Sequence, residues 1–355
     1  MILAHGVGER HDLPLPLDLV LQGAAIALLA SFLGLGLLWT RPRFTPSPDE
    51  EGRDWWPVRL LVLVGLLFVP SWPHLVFVLL WVGVAFASML LGPVWRVLNP
   101  LRFAARFSLG HAYPPRLGHW PAALSLLAFT WVELVSPHAL PWFLVAYAVV
   151  NVAGGVVFGP TWFARADGFE VYSTLLGRLS PLHGNPFRRL MSTPVRPGLV
   201  AVIAVCLGST AFDSIGSTPT WARWGLPDAL GLVVAIAVVA GSYLLCTRLL
   251  GGPLAHSLIP IIAGYVVAHY YSLLVIEGQR VFDQSVRADE TLAAPVIVAT
   301  VQVVAVLTGH LVAVVSAHDR TLALLPKQRH LTGQVPLLLL MVGYTAGGLA
   351  LLFAG

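Results

Sequence analysis

Charged residues are scarce in this sequence. Only 11% of its 355 residues are Asp, Glu, Lys or Arg, whereas soluble domains carry roughly 25%. Hydrophobic residues make up 57% of the chain, and its mean hydropathy is +0.79. This lack of charge excludes an ordinary soluble globular protein, because most of the chain must be solvated by lipid. The net charge of +4 does not indicate nucleic acid, since the basic residues fall into short loops between apolar runs.

Cysteine is nearly absent. The two cysteines, Cys206 and Cys246, both lie in apolar segments. We expect them to be small core residues, because a disulfide framework needs several cysteines in a small secreted chain. No basic segment precedes the first apolar run, so we expect no cleavable signal peptide.

Common catalytic and nucleotide-binding motifs are also missing. The chain has no GxxxxGK[ST] loop, no dinucleotide fingerprint and no GxSxG. Nucleotide-driven transport and the usual serine hydrolases are therefore disfavoured. HExxH, HxxxH and CxxC are absent as well, so no metal site can be assigned from spacing alone.

Long apolar runs fill the rest of the chain. A membrane-spanning helix needs about 20 apolar residues, and we assign ten such segments. They predict an all-α polytopic membrane bundle that forms a single membrane domain over residues 1–355. The segments are 18–39, 57–70, 74–92, 119–135, 142–163, 198–215, 228–250, 254–276, 291–316 and 334–354.

The basic residues indicate the orientation of the bundle. Most of the 21 lysine and arginine residues fall on one set of alternate loops, and that side of a membrane protein faces the cytoplasm. The pattern predicts a multi-pass protein of the cytoplasmic membrane with both termini outside. The tail 1–17 is then external, and the basic stretches 94–118 and 164–197 are cytoplasmic loops. We expect these two stretches to lie along the inner leaflet, because aromatic residues interleave with their charges.

A short motif occurs twice. The third predicted span ends in GPVW at Gly92–Trp95, and the fifth ends in GPTW at Gly159–Trp162. Either two helical hairpins are related by duplication, or Gly-Pro-x-Trp is a helix stop followed by an interfacial aromatic anchor.

Polar residues gather at the predicted outer ends of several spans. His269 and Tyr270 lie on the eighth span, whose outer end carries Glu277, and Asp213 lies at the outer end of the sixth. Glu133 lies near the outer end of the fourth span, and Gln302 lies near mid-membrane on the ninth. An imidazole beside carboxylates can bind a divalent metal such as zinc or copper and activate a water. The same groups could relay protons, or they could only join helices by hydrogen bonds. We take His269, Asp213 and Tyr270 as catalytic candidates, and His269 and Asp213 also as metal ligands.

A second set of polar residues lies towards the inner side. His256 and His310 are further metal-ligand candidates, and only this pair has the matching depth that a bis-histidine heme requires. His256 and His269 lie at different depths and cannot bind one ion together. His318 precedes Asp319 and Arg320, which we expect to pair at the membrane interface. His5 and His11 lie on the external tail, which either is flexible or folds over the outer site.

Several blocks together resemble a known family. They are AHGVGERHDLPLPLDLVLQGAA, GPVWRVLNPLR, FEVYSTLLGRLSPL, AFDSIGSTPTW, AHSLIPIIAGYVVAHYYSLLVIEGQ and GHLVAVVSAHDRTLAL. Together they resemble a bacterial, mostly actinobacterial, integral membrane family labelled fenitrothion hydrolase. The resemblance covers nearly the whole chain and implies hydrolysis of organophosphate phosphotriesters, but it carries over no catalytic residues.

Three functions remain open from the sequence. The first is a membrane-embedded, metal-assisted hydrolase of phosphoesters. The second is a transporter or metal-handling protein, and the third is a non-catalytic subunit of a membrane complex. The expected partners are the lipid bilayer and a small-molecule substrate or metal ion, and no nucleic acid.

Overall fold

Glycine and proline mark many of the helix ends in this protein. Proline lacks the backbone N–H that continues a helix, and glycine adopts positive φ at little cost. The computed structural model describes residues 13–47, 56–66, 72–250, 254–280, 295–326, 330 and 332–353. Every regular element within these residues is helical, as the sequence predicts.

The α-helices are numbered in chain order. They are α1 (Leu17–Leu38), α2 (Trp56–Gly65), α3 (Val84–Leu91), α4 (Val94–Leu98), α5 (Trp120–Leu134), α6 (Leu140–Phe158), α7 (Pro160–Ala166), α8 (Gly168–Gly177), α9 (Pro186–Met191), α10 (Leu199–Gly216), α11 (Pro219–Trp224), α12 (Asp228–Leu250), α13 (Ile259–Arg280), α14 (Pro295–Leu324) and α15 (Val335–Leu352). A π-helical segment, His74–Gly83, leads into α3, and 3-10 segments cover Pro100–Phe107 and Ala255–Leu258.

Seven helices within the described ranges are long and apolar enough to cross a membrane. The protein is therefore an all-α, multi-pass membrane protein. Three further apolar helices are shorter, at Trp56–Gly65, Leu75–Leu91 and Trp120–Leu134, and they coincide with the second, third and fourth predicted segments. The fifth predicted segment, 142–163, is interrupted. Its helix α6 ends at Phe158, because Gly159 has φ +64° and Pro160 starts a new helix.

The two Gly-Pro-x-Trp motifs form the same break. Gly92, with φ +86°, precedes Pro93 and α4, just as Gly159 precedes Pro160 and α7. Each short helix leads to a polar cap, since the side chain of Asn99 accepts from Leu101 N and that of Asp167 accepts from Phe169 N. Asn99 Nδ2 also donates to Asp167 Oδ2 at 2.7 Å. The two motifs therefore share one local geometry.

The chain folds into two compact units. One comprises Met1–Ser47, Phe187–Thr193 and Leu207–Gly355, and the other comprises Pro48–Pro186 and Pro194–Cys206. We call them the first and the second unit.

Close packing of α13 against α14 organises the first unit. A Cβ atom on Gly264 would lie 2.7 Å from the backbone oxygen of Ala305, and one on Gly309 would lie 2.5 Å from that of Pro260. Only glycine permits this approach, as is common between packed membrane helices. The contact fixes α13, which carries His269.

Helix α8 lies at the centre of the second unit. We expected the stretch 164–197 to lie on the membrane surface, but nearly all of α8 is buried in protein. Phe169, Tyr172 and Leu176 are 1%, 2% and 0% exposed, and Trp81 stacks on Tyr172 with 4.7 Å between ring centroids. For this helix the surface interpretation was wrong, because its charged residue finds a buried partner, described below, instead of water.

Candidate functional site

Helices α10 and α13 bring an imidazole and a carboxylate together. His269 Nε2 lies 2.8 Å from Asp213 Oδ2, and the two residues are 3% and 4% exposed. Asp213 lies in the last turn of α10, and His269 lies near the middle of α13. The two residues that the sequence ranked first are thus in direct hydrogen-bond contact.

A serine extends this pair into a chain of three. Ser214 Oγ lies 3.2 Å from His269 Nδ1, on the ring nitrogen that does not face Asp213. When Nε2–H donates to Asp213, Nδ1 is left as the acceptor for the Ser214 hydroxyl. The same hydroxyl lies 3.2 Å from the backbone oxygen of Thr210, so two acceptors share one proton. The order Ser–His–Asp is the arrangement that activates a hydroxyl nucleophile.

Tyr270 supports this chain from one side. Its hydroxyl donates to Asp213 Oδ2 at 3.4 Å, which is long for a hydrogen bond between two oxygens. Its ring meets the His269 ring edge-on, with centroids 4.6 Å apart. Tyr270 therefore restrains both partners of the pair.

An apolar cavity lies against the Ser–His–Asp hydrogen-bond chain. Its volume is about 510 Å³, and both Ser214 and His269 line it, together with Thr210, Tyr265 and Tyr344. This volume is typical of small-molecule sites, which lie between about 300 and 1,000 Å³. The remaining lining is aliphatic, aromatic or glycine and comes from α10, α11, α12, α15 and Leu226 in the loop before α12. A serine and a histidine thus face a space that otherwise favours apolar molecules.

The four proposed metal ligands do not converge. His256 Nε2 contacts the backbone oxygen of Ser316 at 3.4 Å, and His310 Nδ1 donates to that of Val306 at 2.9 Å. Within the described residues, no group of three or more His, Cys, Asp or Glu side chains could hold a metal ion. A catalytic zinc ion usually takes three protein ligands, whereas His269 and Asp213 hydrogen-bond directly to each other. These residues do not fit a protein-held metal ion, and we derive no step from one.

The other predicted residues have separate places. Gln302 is buried, and neither atom of its amide has a hydrogen-bond partner in the described part of the chain. Glu133 belongs to the second unit. His5 and His11 lie outside the described residues, as does the side chain of Glu277.

Asp319 does not form the predicted pair with Arg320. Its carboxylate accepts from Trp39 Nε1 at 3.1 Å and from the backbone N–H of Arg43 at 2.6 Å. Its second oxygen, Oδ2, accepts from the backbone N–H of Phe44 at 3.3 Å, so the carboxylate pairs with backbone groups of the segment after α1. His318 holds the same segment, since its Nε2 donates to Trp39 O at 2.9 Å. These residues anchor the chain after α1 and take no part in the site.

Sequence reasoning missed Ser214. A serine next to Asp213 in FDSIGS matches no hydrolase motif, because a nucleophile elbow requires GxSxG at a strand-to-helix turn. The available signal was the position of Asp213 and Ser214, which lie side by side in the last helical turn before a polar loop.

Sequence reasoning also missed a buried polar cluster in the second unit. Arg102 Nη1 donates to Glu170 Oε1 in a buried ion pair, and Tyr147 donates to Asp167 Oδ1 at 2.7 Å. Burial, together with the nearby Glu170, raises the pKa of Asp167 to about 7, although hydrogen bonds from Tyr147 and the backbone act in the opposite direction. Burial also raises the pKa of Glu170, against the opposing effect of Arg102. This cluster ties α8 to the segments that follow the two glycine-proline breaks.

Fold and site together define a class. The chain is a multi-pass α-helical membrane protein in which a buried Ser–His–Asp chain faces an apolar cavity. Comparison with protein-family models, with curated proteins and with solved structures finds no match. The class therefore rests on the described geometry alone.

Proposed function

We propose that this protein is a membrane-embedded hydrolase of phosphoesters that resemble organophosphates. Ser214 is the nucleophile, His269 the general base and acid, and Asp213 the positioning residue for His269. The observation that carries the proposal is the continuous hydrogen-bond chain from Asp213 through His269 to Ser214 at the cavity wall. The choice of phosphoester comes from the resemblance of the sequence blocks to fenitrothion hydrolases.

The reaction has two steps. Ser214 Oγ bonds to the phosphorus while its proton passes to His269 Nδ1, and the leaving group departs with that proton. His269 then takes a proton from a water molecule, the hydroxide bonds to the phosphorus, and Ser214 Oγ leaves and is protonated again. Asp213 fixes the tautomer and orientation of His269 and stabilises the imidazolium form of each step. A metal ion is not required for this sequence of transfers.

The proposal also includes the number of spans and the membrane orientation that the sequence predicts. We place ten spans in the cytoplasmic membrane with both termini outside, so that the three shorter apolar helices also cross or enter the bilayer. The distribution of lysine and arginine supports this orientation. Ser214 and His269 then lie in the outer half of the membrane.

Replacement of Asp213 by asparagine tests the relay. Asparagine can donate to His269 and thereby stabilises the wrong tautomer, so we expect kcat to fall about 10⁴-fold with little change in KM. The measurement is nitrophenolate release from a p-nitrophenyl phosphotriester by purified protein in proteoliposomes. Asp18→Asn on the exposed first turn of α1 is the matched control and should leave kcat unchanged. An Asp213→Asn variant that changes only KM would contradict the assignment.

A second candidate is transport of a small molecule or metal ion, with no hydrolytic turnover. It is favoured by polar atoms without partners along α14: both amide atoms of Gln302 and Nε2 of His310 are buried without a hydrogen bond among the described residues. Such atoms can serve a path through the membrane. Accumulation of a phosphotriester in vesicles without product would support transport over hydrolysis. Stable co-purification with other membrane proteins, with neither activity, would instead support a subunit of a complex.

A further inference from the structure

Helices α12 and α15 touch near the Leu250 end of α12, where Cys246 Sγ contacts Pro336 O at 3.5 Å, and again at Tyr344. Beyond Tyr344 they leave the cavity between them. Tyr344 Oη lies 2.7 Å from Ser242 Oγ and donates to Val239 O at 3.2 Å. From this contact the cavity continues towards the Asp228 end of α12 and the Leu352 end of α15, since lining residues follow both helices in that direction. The two helices therefore form the sides of an opening that is closed at the Tyr344 contact.

The sides of this opening face away from the protein. On α12, Val234 and Val238 line the cavity and are nevertheless 49% and 60% exposed. On α15, Gly343 and Gly347 line it and are also exposed, and a Cβ on either would meet nothing within 4 Å. Both helices are membrane spans, so their exposed faces contact lipid. The cavity is thus open sideways to the bilayer.

The floor of the opening carries the reactive groups. Ser214 from α10 and His269 from α13 lie on the cavity wall with Thr210 and Tyr265. None of the described residues that line the cavity is Asp, Glu, Lys or Arg. A charged molecule would lose its hydration here without a partner charge, which is costly. An uncharged apolar molecule would lose nothing comparable.

We propose that the opening between α12 and α15 is a lateral portal through which an uncharged, lipophilic ester passes from the bilayer to Ser214 and His269. This inference rests on the proposed function for the reaction, but the binding of a lipophilic molecule does not depend on it. The substrate class is a neutral ester whose alkyl or aryl groups partition into the membrane. The ester group reaches the serine, and the apolar groups remain between the two helices.

Filling the portal tests this inference by hydrolysis. Gly347→Leu places a side chain into the opening where the structure leaves space, and Gly343→Leu does the same next to the Tyr344 contact. With dioctyl p-nitrophenyl phosphate in phosphatidylcholine vesicles, we expect kcat/KM to fall about tenfold or more in either variant, because even a single methylene in an apolar pocket changes kcat/KM that much. Gly241→Leu on α12 is the control, since Gly241 is exposed, has nothing within 4 Å of a Cβ and does not line the cavity. Equal rates for all three variants and wild type would overturn the portal.

Photolabelling tests the same inference without depending on ester hydrolysis. The probe is dodecanol that carries a diazirine, in phosphatidylcholine vesicles, with the Ser214→Ala variant. We expect saturable labelling of the peptides that contain Thr210 and Tyr265, and loss of this labelling when Gly347→Leu is added. Labelling of these peptides that persists with Gly347→Leu, or that never occurs, overturns the portal. If Ser214→Ala shows the expected labelling but the wild-type protein releases no nitrophenolate, the portal stands and the proposed function fails.

Discussion

Replacement of His269 by alanine is expected to lower kcat for phosphotriester hydrolysis about 10⁶-fold, the scale at which the loss of a triad histidine acts in serine hydrolases. His269 links the other two members of the Ser–His–Asp hydrogen-bond chain, through Nδ1 to Ser214 and through Nε2 to Asp213. Without His269, Ser214 has no general base, since the backbone oxygen of Thr210 can accept a hydrogen bond but cannot take up the proton, and the leaving group has no proton donor. Binding of an apolar substrate should persist, because the cavity is lined mainly by apolar groups.

The control for this variant is a second buried histidine. His256 is 6% exposed and contacts Ser316 O away from the cavity lining, so His256→Ala should keep kcat within about threefold, as expected for a residue outside the site. His269→Gln preserves a hydrogen-bond donor for Asp213 and separates lost chemistry from lost folding. It should elute as wild type in size-exclusion chromatography and remain inactive. Full hydrolysis by His269→Ala would rule out the proposed function.

Replacement of Arg102 by methionine is expected to destabilise the protein by about 3–5 kcal/mol, the cost of leaving one partner of a buried ion pair uncompensated. Glu170 is 1% exposed and holds its ion pair with Arg102 inside the second unit. Methionine keeps most of the apolar volume of arginine, so the expected loss comes from the charge. Arg106→Met, at an exposed position of the same 3-10 segment, is the matched control and should change stability little.

The pH dependence separates this electrostatic effect from lost packing. Without Arg102, the pKa of Glu170 in the folded protein lies further above its unfolded value, since burial already raises it. A raised pKa gives stability that is present below the unfolded pKa and is lost as the pH rises. The deficit of Arg102→Met should therefore be smaller near pH 5 than near pH 8 in thermal unfolding of detergent-purified protein. The double variant with Glu170→Gln should recover part of the loss, and a deficit that is independent of pH would contradict the account.

Most helices of this fold can be predicted from the sequence, because an apolar run of spanning length has few alternatives to a helix in a membrane. Each of the ten segments contains a helix, and the break after Phe158 follows from glycine and proline. The burial of α8 could not be predicted from the sequence. A helix with one charged residue among aromatics has the same pattern on a membrane surface as inside a protein, and only its partner Arg102, far away in sequence, decides between them.

Only part of the candidate site could be predicted from the sequence. An aspartate at one helix end and a histidine two turns deep on another are rare in apolar spans, and this rarity singled out Asp213 and His269. Serine is common in membrane helices, so Ser214 had no such signal. The grouping of His256 and His310 as metal ligands relied on depth alone, whereas their contacts depend on helix rotation. Each of them instead contacts a backbone carbonyl of α14.

The central claim is that Ser214 is the nucleophile, and covalent trapping tests it most directly. Wild-type protein in proteoliposomes is mixed with diethyl p-nitrophenyl phosphate, quenched with acid within the first turnover, digested and analysed by mass spectrometry. We expect a diethylphosphoryl group on Ser214, formed together with one equivalent of nitrophenolate and absent from Ser214→Ala. Continued nitrophenolate release by Ser214→Ala, or a phosphoryl group on a different residue, would contradict the account.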